Sequence, residues 1–179
     1  VFQIHPLGDG HAILQAEKYI KNEPFAVLFG DDIIISKTTS EKNEKLPLFG
    51  LCELIETFKK TKSCVIGLEK ICKEQTINYG IVKPFKNRQT LVKNKDFLIT
   101  PPHNILKNQS QIFEIEDMVE KPSPEKAPSL LGIIGKYVVT KEILQAIKKG
   151  SKSHGGELRL IDGFRELKKT QKIFAQTYC

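Results

Sequence analysis

Tryptophan is absent from this 179-residue chain, methionine occurs once, and aromatic residues make up only 8% of it. No apolar run approaches the roughly 18 residues that cross a bilayer. The most continuous, Leu130 to Val139, is short and carries Lys136, so no membrane partner is expected. A basic start followed by an apolar core and a small-residue cleavage site is also missing. Cys52, Cys64, Cys72 and Cys179 show no C-x-x-C spacing, and His5, His11, His103 and His154 lie far apart. That argues against a zinc site. Cys52 falls on an apolar helical stripe and Cys64 in an apolar strand, so both read as buried free thiols in a reducing cytoplasm. There is no Walker motif and no dinucleotide glycine fingerprint. No Ser/His/Asp or Cys/His arrangement can be argued either.

What is present is an ordinary folded composition, 40% hydrophobic and 27% charged, with a net charge of +7. The basic residues are scattered. Their densest patches are Lys59-Lys60-Lys62, Lys148-Lys149-Lys152 and Lys168-Lys169-Lys172. Each lies near the end of an expected helix, where cations complement the dipole. Without an accompanying nucleic-acid motif they do not point to nucleic acid as a partner.

Strand and helix patterns alternate. After Pro6 and the Gly8-Asp9-Gly10 turn, the spacing of Ala12, Ile13, Ala16, Tyr19 and Ile20 predicts a helix. Phe25 to Phe29 is a continuous apolar run, the mark of a strand buried on both faces. It ends at Gly30-Asp31-Asp32, before Ile33-Ile34-Ile35. Leu51, Leu54, Ile55 and Phe58 predict a second helix. Strands are expected at Cys64 to Leu68, at Tyr79 to Val82, and at Ile112 to Val119, where apolar and acidic residues alternate as on a half-exposed strand. Residues 83 to 110 are irregular, with one strand expected at Asp96 to Thr100. Leu130 to Val139 reads as a buried strand. Thr140 is a candidate cap for a helix with Ile143, Leu144 and Ile147. A last helix holds Leu160, Phe164 and Leu167, and Lys172 to Tyr178 forms a last strand. Such βα alternation predicts one α/β domain over residues 1–179, with a mainly parallel sheet. Ligands of open α/β sheets bind beyond the carboxyl ends of strands, which directs attention to Gly30-Asp31-Asp32 and the turn at Gly8.

Residue by residue, the chemistry stays open. A carboxylate at Asp31 or Asp32 suits Mg²⁺, which binds through one or two carboxylates plus substrate phosphates; alone, the pair is an ordinary turn. Glu120-Lys121-Pro122 offers a hydroxyl acceptor and a phosphate-binding point charge, or merely a solvated strand end. Gly80 invites close approach or a bulge. Asp162 in a first helical turn is favoured by the dipole alone.

In order along the chain, however, stand Gln3-x-x-Pro6-Leu7-Gly8-x-Gly10-His11-Ala12, Phe25-Ala26-Val27-Leu28 with Asp31, Tyr79-Gly80-Ile81-Val82, Val119-Glu120-Lys121-Pro122, Ala127-Pro128-Ser129, Gly135-Lys136-Tyr137-Val138 and Gly156-Glu157-x-x-Leu160-x-Asp162. This set resembles the bacterial UTP–glucose-1-phosphate uridylyltransferases over nearly the whole chain. The resemblance implies a Rossmann-like nucleotide-diphospho-sugar transferase fold, an α/β/α sandwich with a mixed, mainly parallel sheet. It implies a Mg²⁺-dependent reaction of UTP with glucose 1-phosphate, giving UDP-glucose and pyrophosphate. Carried over by motif, Gln3 and Gly8 would contact uracil. Asp31 and Asp162 would hold the metal, Gly80 and Glu120 the glucose hydroxyls, and Lys121 the sugar phosphate. Asp32 receives no role.

The chain departs from the family pattern at Leu130, where Asn is usual, and at Arg159 and Ile161, where Gln and Thr are usual. The insertion at about 83–110 is roughly 20 residues longer than family spacing, a length often tied to function. Sister thymidylyltransferases, or a non-catalytic sugar-nucleotide-binding homologue, are the competing expectations. The family's G-x-G-T-R-x-x-P loop belongs before Val1, and its closing segment, which helps assemble subunits, belongs after Cys179. The resemblance therefore implies an internal fragment, incomplete at both ends and weak or inactive alone, from a full-length homo-oligomer.

Overall fold

The computed structural model describes residues 1–33, 50–85, 111–150 and 156–178. The elements run α1 (Asp9–Gln15), a 3₁₀ turn (Glu17–Tyr19), β1 (Phe25–Leu28), α2 (Leu51–Thr61), β2 (Val65–Lys70), a second 3₁₀ turn (Lys73–Asn78), β3 (Gly80–Pro84), β4 (Ile112–Glu120), β5 (Leu131–Val139), α3 (Glu142–Lys149), α4 (Leu160–Leu167) and β6 (Phe174–Thr177). The predicted strand at Asp96 to Thr100 lies outside the described residues.

Alternation on the strands sorts the two helical layers. Successive strand side chains point to opposite faces. Val65 and Val138 meet α2 through Leu54, Leu51, Ile55 and Phe58. Ile66, Tyr137 and Val139 belong to the larger core, with Ile143 and Ile147 of α3 and Leu160 and Phe164 of α4. The predicted basic patches do end helices: Lys59 and Lys60 close α2, Lys148 and Lys149 close α3, and Lys168 caps α4.

The strands follow the order β1-β5-β2-β6-β4-β3, and β3 returns to β5 by pairing Ile81 with Gly132. The sheet thus closes on itself into a barrel, where the sequence predicts an open sandwich. It is mixed, but not mainly parallel. Only β2 and β6 pair in parallel; the other described pairings are antiparallel. β5 enters the sheet antiparallel to all three of its partners, β1, β2 and β3, and β4 lies antiparallel to β3 and β6; such antiparallel ladders need no helical crossover.

Four further expectations change. β1 is open on one face, with Ala26 exposed and Leu28 52% accessible, because it sits at the sheet edge beyond β5. The first four residues of β4 are buried although Glu114 is among them; β4 is interior between β3 and β6, and Lys172 meets the Glu114 carboxylate at 3.1 Å. Cys52 is exposed and only Cys64 of the described cysteines is buried, since Cys52 lies off the α2 stripe that contacts Val65. Thr140 serves α3 with its carbonyl, which accepts from Ile143 N at 3.1 Å, and not as a side-chain cap.

Candidate active site

Several strand ends converge on one cleft. β1 runs into the Gly30-Asp31-Asp32 turn, β3 starts at Gly80, and β4 ends at Glu120, which pairs directly with Gly80. Between them lies a cavity of about 380 Å³ lined by Asp9, Phe29, Asp31, Asp32, Asn78, Tyr79, Gly80, Glu120, Lys121, Ile133, Gly135, Tyr137 and Ile161. Of the residues singled out in the sequence, Asp31, Gly80, Glu120 and Lys121 meet here.

The floor under the acidic turn is built by β5. Gly135 has φ +52°, and a Cβ there would fall 2.3 Å from Asp32 Oδ2 and 2.8 Å from Phe29 Cβ. Only glycine accepts that backbone without strain and leaves that space. Next to it Lys136 is 9% exposed, and its Nζ donates to Phe29 O at 2.9 Å and Asp32 O at 2.6 Å. A buried ammonium needs such partners, and here they clamp both ends of the turn. Burial, then the neighbouring Asp31 charge, raises the Asp32 carboxyl above its ordinary range, with Lys136 pulling against them.

The opposite wall is shaped by Glu120 and Lys121. Burial raises the Glu120 carboxyl; Asp9 and Asp162 add to that rise, while Arg159 and Lys121 oppose it. Arg159 Nη1 reaches Glu120 Oε1 at 3.3 Å, while its Nε and Nη2 hold Glu157 Oε2 at 3.2 and 3.1 Å. Lys121 turns the chain with φ +43°, and its N–H donates to Tyr79 O at 3.1 Å. Tyr137 packs between the Phe29 and Phe164 rings, 5.6 and 5.7 Å from their centroids. Burial pushes its phenol far upward, so it stays neutral.

Gln3 and Gly8 are not among the cleft's lining residues; Gly8 directly precedes one that is, Asp9, at the start of α1. Gly8 has φ +100°, and a Cβ there would strike Leu158 O at 2.4 Å. Leu158 N donates to Leu7 O at 2.8 Å, and Asp9 Oδ1 accepts from Leu160 N at 2.8 Å. The Gly8 turn is thereby tied to the start of α4. Asp162 is not among the cleft's lining residues. It lines a separate hollow of about 320 Å³ with Asp117, Arg165 and Glu166, although its field reaches Glu120.

The cleft's hard carboxylate oxygens, at Asp31 and Asp32, are of the kind Mg²⁺ takes, whereas Asp162, whose Oδ2 is sealed from solvent with no hydrogen-bond partner, stands outside the cleft. Among the described residues no cluster of three or more His, Cys, Asp or Glu forms a cage for a metal; Mg²⁺ needs none when substrate phosphates complete its shell. The sequence reading gave no role to Asp9 or Lys136, and it marked Arg159 only as a departure from the family pattern. Lys136 carried a signal, being the single charge inside the apolar run Leu130 to Val139.

Carboxylates and a lysine around a strand-end cleft equip a protein to transfer phosphate groups by positioning and charge. The chain belongs to the nucleotidyl transferase family, whose profile matches residues 1–177. More particularly, it is 33% identical over 174 residues, 97% of the chain, to the UTP–glucose-1-phosphate uridylyltransferase YngB of Bacillus subtilis, covering 48% of that relative. It is 34% identical over 176 residues, 98% of the chain, to a UTP–glucose-1-phosphate uridylyltransferase of Streptococcus pyogenes, covering 49% of it. The chain thus spans about half the length of these curated relatives. Among solved structures, a UDP-glucose pyrophosphorylase complexed with UDP-glucose matches with a TM-score of 0.76 and 28% identity, over 100% of this chain and 57% of that one. A UTP-bound enzyme from Acinetobacter baumannii matches at 0.69 with 26% identity, over 99% of this chain and 51% of that one.

Proposed function

We propose that the protein carrying this chain makes UDP-glucose and pyrophosphate from UTP and glucose 1-phosphate. The observation that carries this reading is the placement of Asp31, Gly80, Glu120 and Lys121 around one cleft, in a chain whose relatives bear that activity in their names. A phosphate oxygen of glucose 1-phosphate attacks the α-phosphorus of UTP. The new P–O bond forms as the bond from that phosphorus to the bridging oxygen breaks, and its electron pair leaves with pyrophosphate.

Lys121 meets the sugar phosphate as a point charge. Glu120 accepts from glucose hydroxyls, and Gly80 lets the sugar come close. A side chain at Gly80 would begin 3.3 Å from Glu120 Oε2 and 3.1 Å from Ile161. Gln3 and the Gly8 backbone hold uracil. Asp31 would hold Mg²⁺, which when bound supplies neutralisation of phosphate charge; the resemblance names Asp162 as a second carboxylate, and it lines the separate hollow. Lys136 and Gly135 keep the Asp31 turn in place. The full-length protein acts as a homo-oligomer.

The test is pyrophosphate release by the full-length protein given UTP, glucose 1-phosphate and Mg²⁺. Release with dTTP or another sugar phosphate, but not with this pair, moves the protein to a sister enzyme. Binding of UDP-glucose without any turnover makes it a non-catalytic homologue.

A further inference from the structure

One oxygen of Glu120 is already taken. Arg159 Nη1 donates to Glu120 Oε1 at 3.3 Å, while Arg159 Nε and Nη2 donate to Glu157 Oε2 at 3.2 and 3.1 Å. The guanidinium is stretched between two carboxylates, and its planar fork fixes the angle at which it meets each. Its root is fixed too. Arg159 is extended, at φ −107° and ψ 145°, just before α4. The residues on either side of it are pinned to the α1 turn: Leu158 N donates to Leu7 O at 2.8 Å, and Leu160 N donates to Asp9 Oδ1 at 2.8 Å. The other Glu120 oxygen, Oε2, is the one over Gly80, 3.3 Å from where a Cβ there would stand. It has no hydrogen-bond partner among the described residues, and it is not sealed from solvent. An ionised carboxylate only accepts, and Arg159 opposes the burial that raises the Glu120 carboxyl.

We infer that Arg159, braced by Glu157, is a positioning residue for the sugar: it occupies Glu120 Oε1 and leaves Oε2 over Gly80 as the one acceptor for a single sugar hydroxyl. This rests on the proposed use of Gly80 and Glu120 as the glucose subsite. An unbraced Glu120 is free to turn both oxygens to the sugar and accept from two neighbouring hydroxyls. With Oε1 spent, it reads one. Gln, usual at position 159 in the family, offers one uncharged NH₂ group, where Arg offers a charged fork of five N–H donors. The two carboxylates of this chain are matched to that fork.

The experiment measures KM in the full-length protein for UTP, for glucose 1-phosphate and for its monodeoxy analogues, one hydroxyl removed at a time. Equilibrium binding of UDP-glucose and of UDP is measured beside it. Arg159→Met keeps an apolar stem and removes every donor. It is expected to raise the KM for glucose 1-phosphate about fivefold and to leave that for UTP in place. One analogue, the one lacking the hydroxyl that Oε2 accepts from, should escape the rise, and the others should share it. Arg159→Lys keeps a cation for Oε1 and is expected to recover part of the loss. An unchanged KM for glucose 1-phosphate in Arg159→Met overturns the inference. So does a rise that also appears for UTP, which marks a structural part only, or a rise that every analogue shares. Two analogues escaping together means that both oxygens face the sugar, and overturns it as well. Should the unaltered protein release no pyrophosphate, the proposed reaction fails, and binding still decides the role of Arg159. Arg159→Met should then weaken UDP-glucose about fivefold and leave UDP unchanged; equal weakening of both, or of neither, overturns it.

Discussion

Asp31 and Glu120 differ in what surrounds them, and their substitutions should fail in different ways. Asp31 stands in the turn clamped by Lys136. Asp31→Ala is expected to lower turnover by at least about 100-fold, read as pyrophosphate release; a loss of only a few-fold would remove it from the metal site. Glu120 responds to pH. Burial raises its carboxyl, so protonation sets in at a higher pH than for an exposed glutamate. If the ionised form holds the sugar, kcat/KM for glucose 1-phosphate falls on acidification from that higher pH. Arg159 opposes the rise, so Arg159→Gln should shift the acid limb upward. A limb that stays put in the pH profile would detach Arg159 from Glu120. Asp31, Glu120 and Lys121 were visible in the sequence only as an ordered set, since each is ordinary alone. Asp9 was not visible, and Arg159 only as a departure from the family pattern, because their roles come from partners far along the chain: Asp9 with Leu160, Arg159 with Glu120.

At the level of elements, periodicity located most strands and helices within a residue or two, because apolar spacing reflects which face is covered. It misjudged β1, whose apolar run looks doubly buried while Leu28 is 52% exposed. Which face of a strand finds a partner is decided by elements far away in sequence. The same limit explains the parallel expectation, since the direction in which β5 enters the sheet is set against β1, β2 and β3, all far away in sequence. The contact between α3 and α4 gives an element-scale prediction. A Cβ on Gly163 would lie 2.5 Å from Ile147 Cγ1, and Ile147 is 1% exposed with nowhere to retreat. Gly163→Ala should destabilise the fold by about 1–3 kcal/mol through overpacking, measured by chemical denaturation. An unchanged midpoint would mean that the helices separate freely.

As a whole molecule, the chain covers about half of its curated relatives, and we predict that these 179 residues expressed alone give weak or no pyrophosphate release. Release at the rate of the full-length protein would overturn that prediction. The net charge of +7 suits substrates rich in phosphate, although Lys121 is the single lysine assigned to one. The position of β5 in the chain has a consequence for biosynthesis. This strand pairs with β1, β2 and β3, yet it is made after all three. While the ribosome works from Phe25 to Leu131, β1 and β2 have no permanent partner and β3 has only β4, so open edges are exposed. Pairings so distant in sequence form slowly, and unpaired edges invite association. Nascent chains stalled just before Leu131 should therefore be the ones chaperones hold most firmly, and release should follow once Val139 has cleared the exit tunnel.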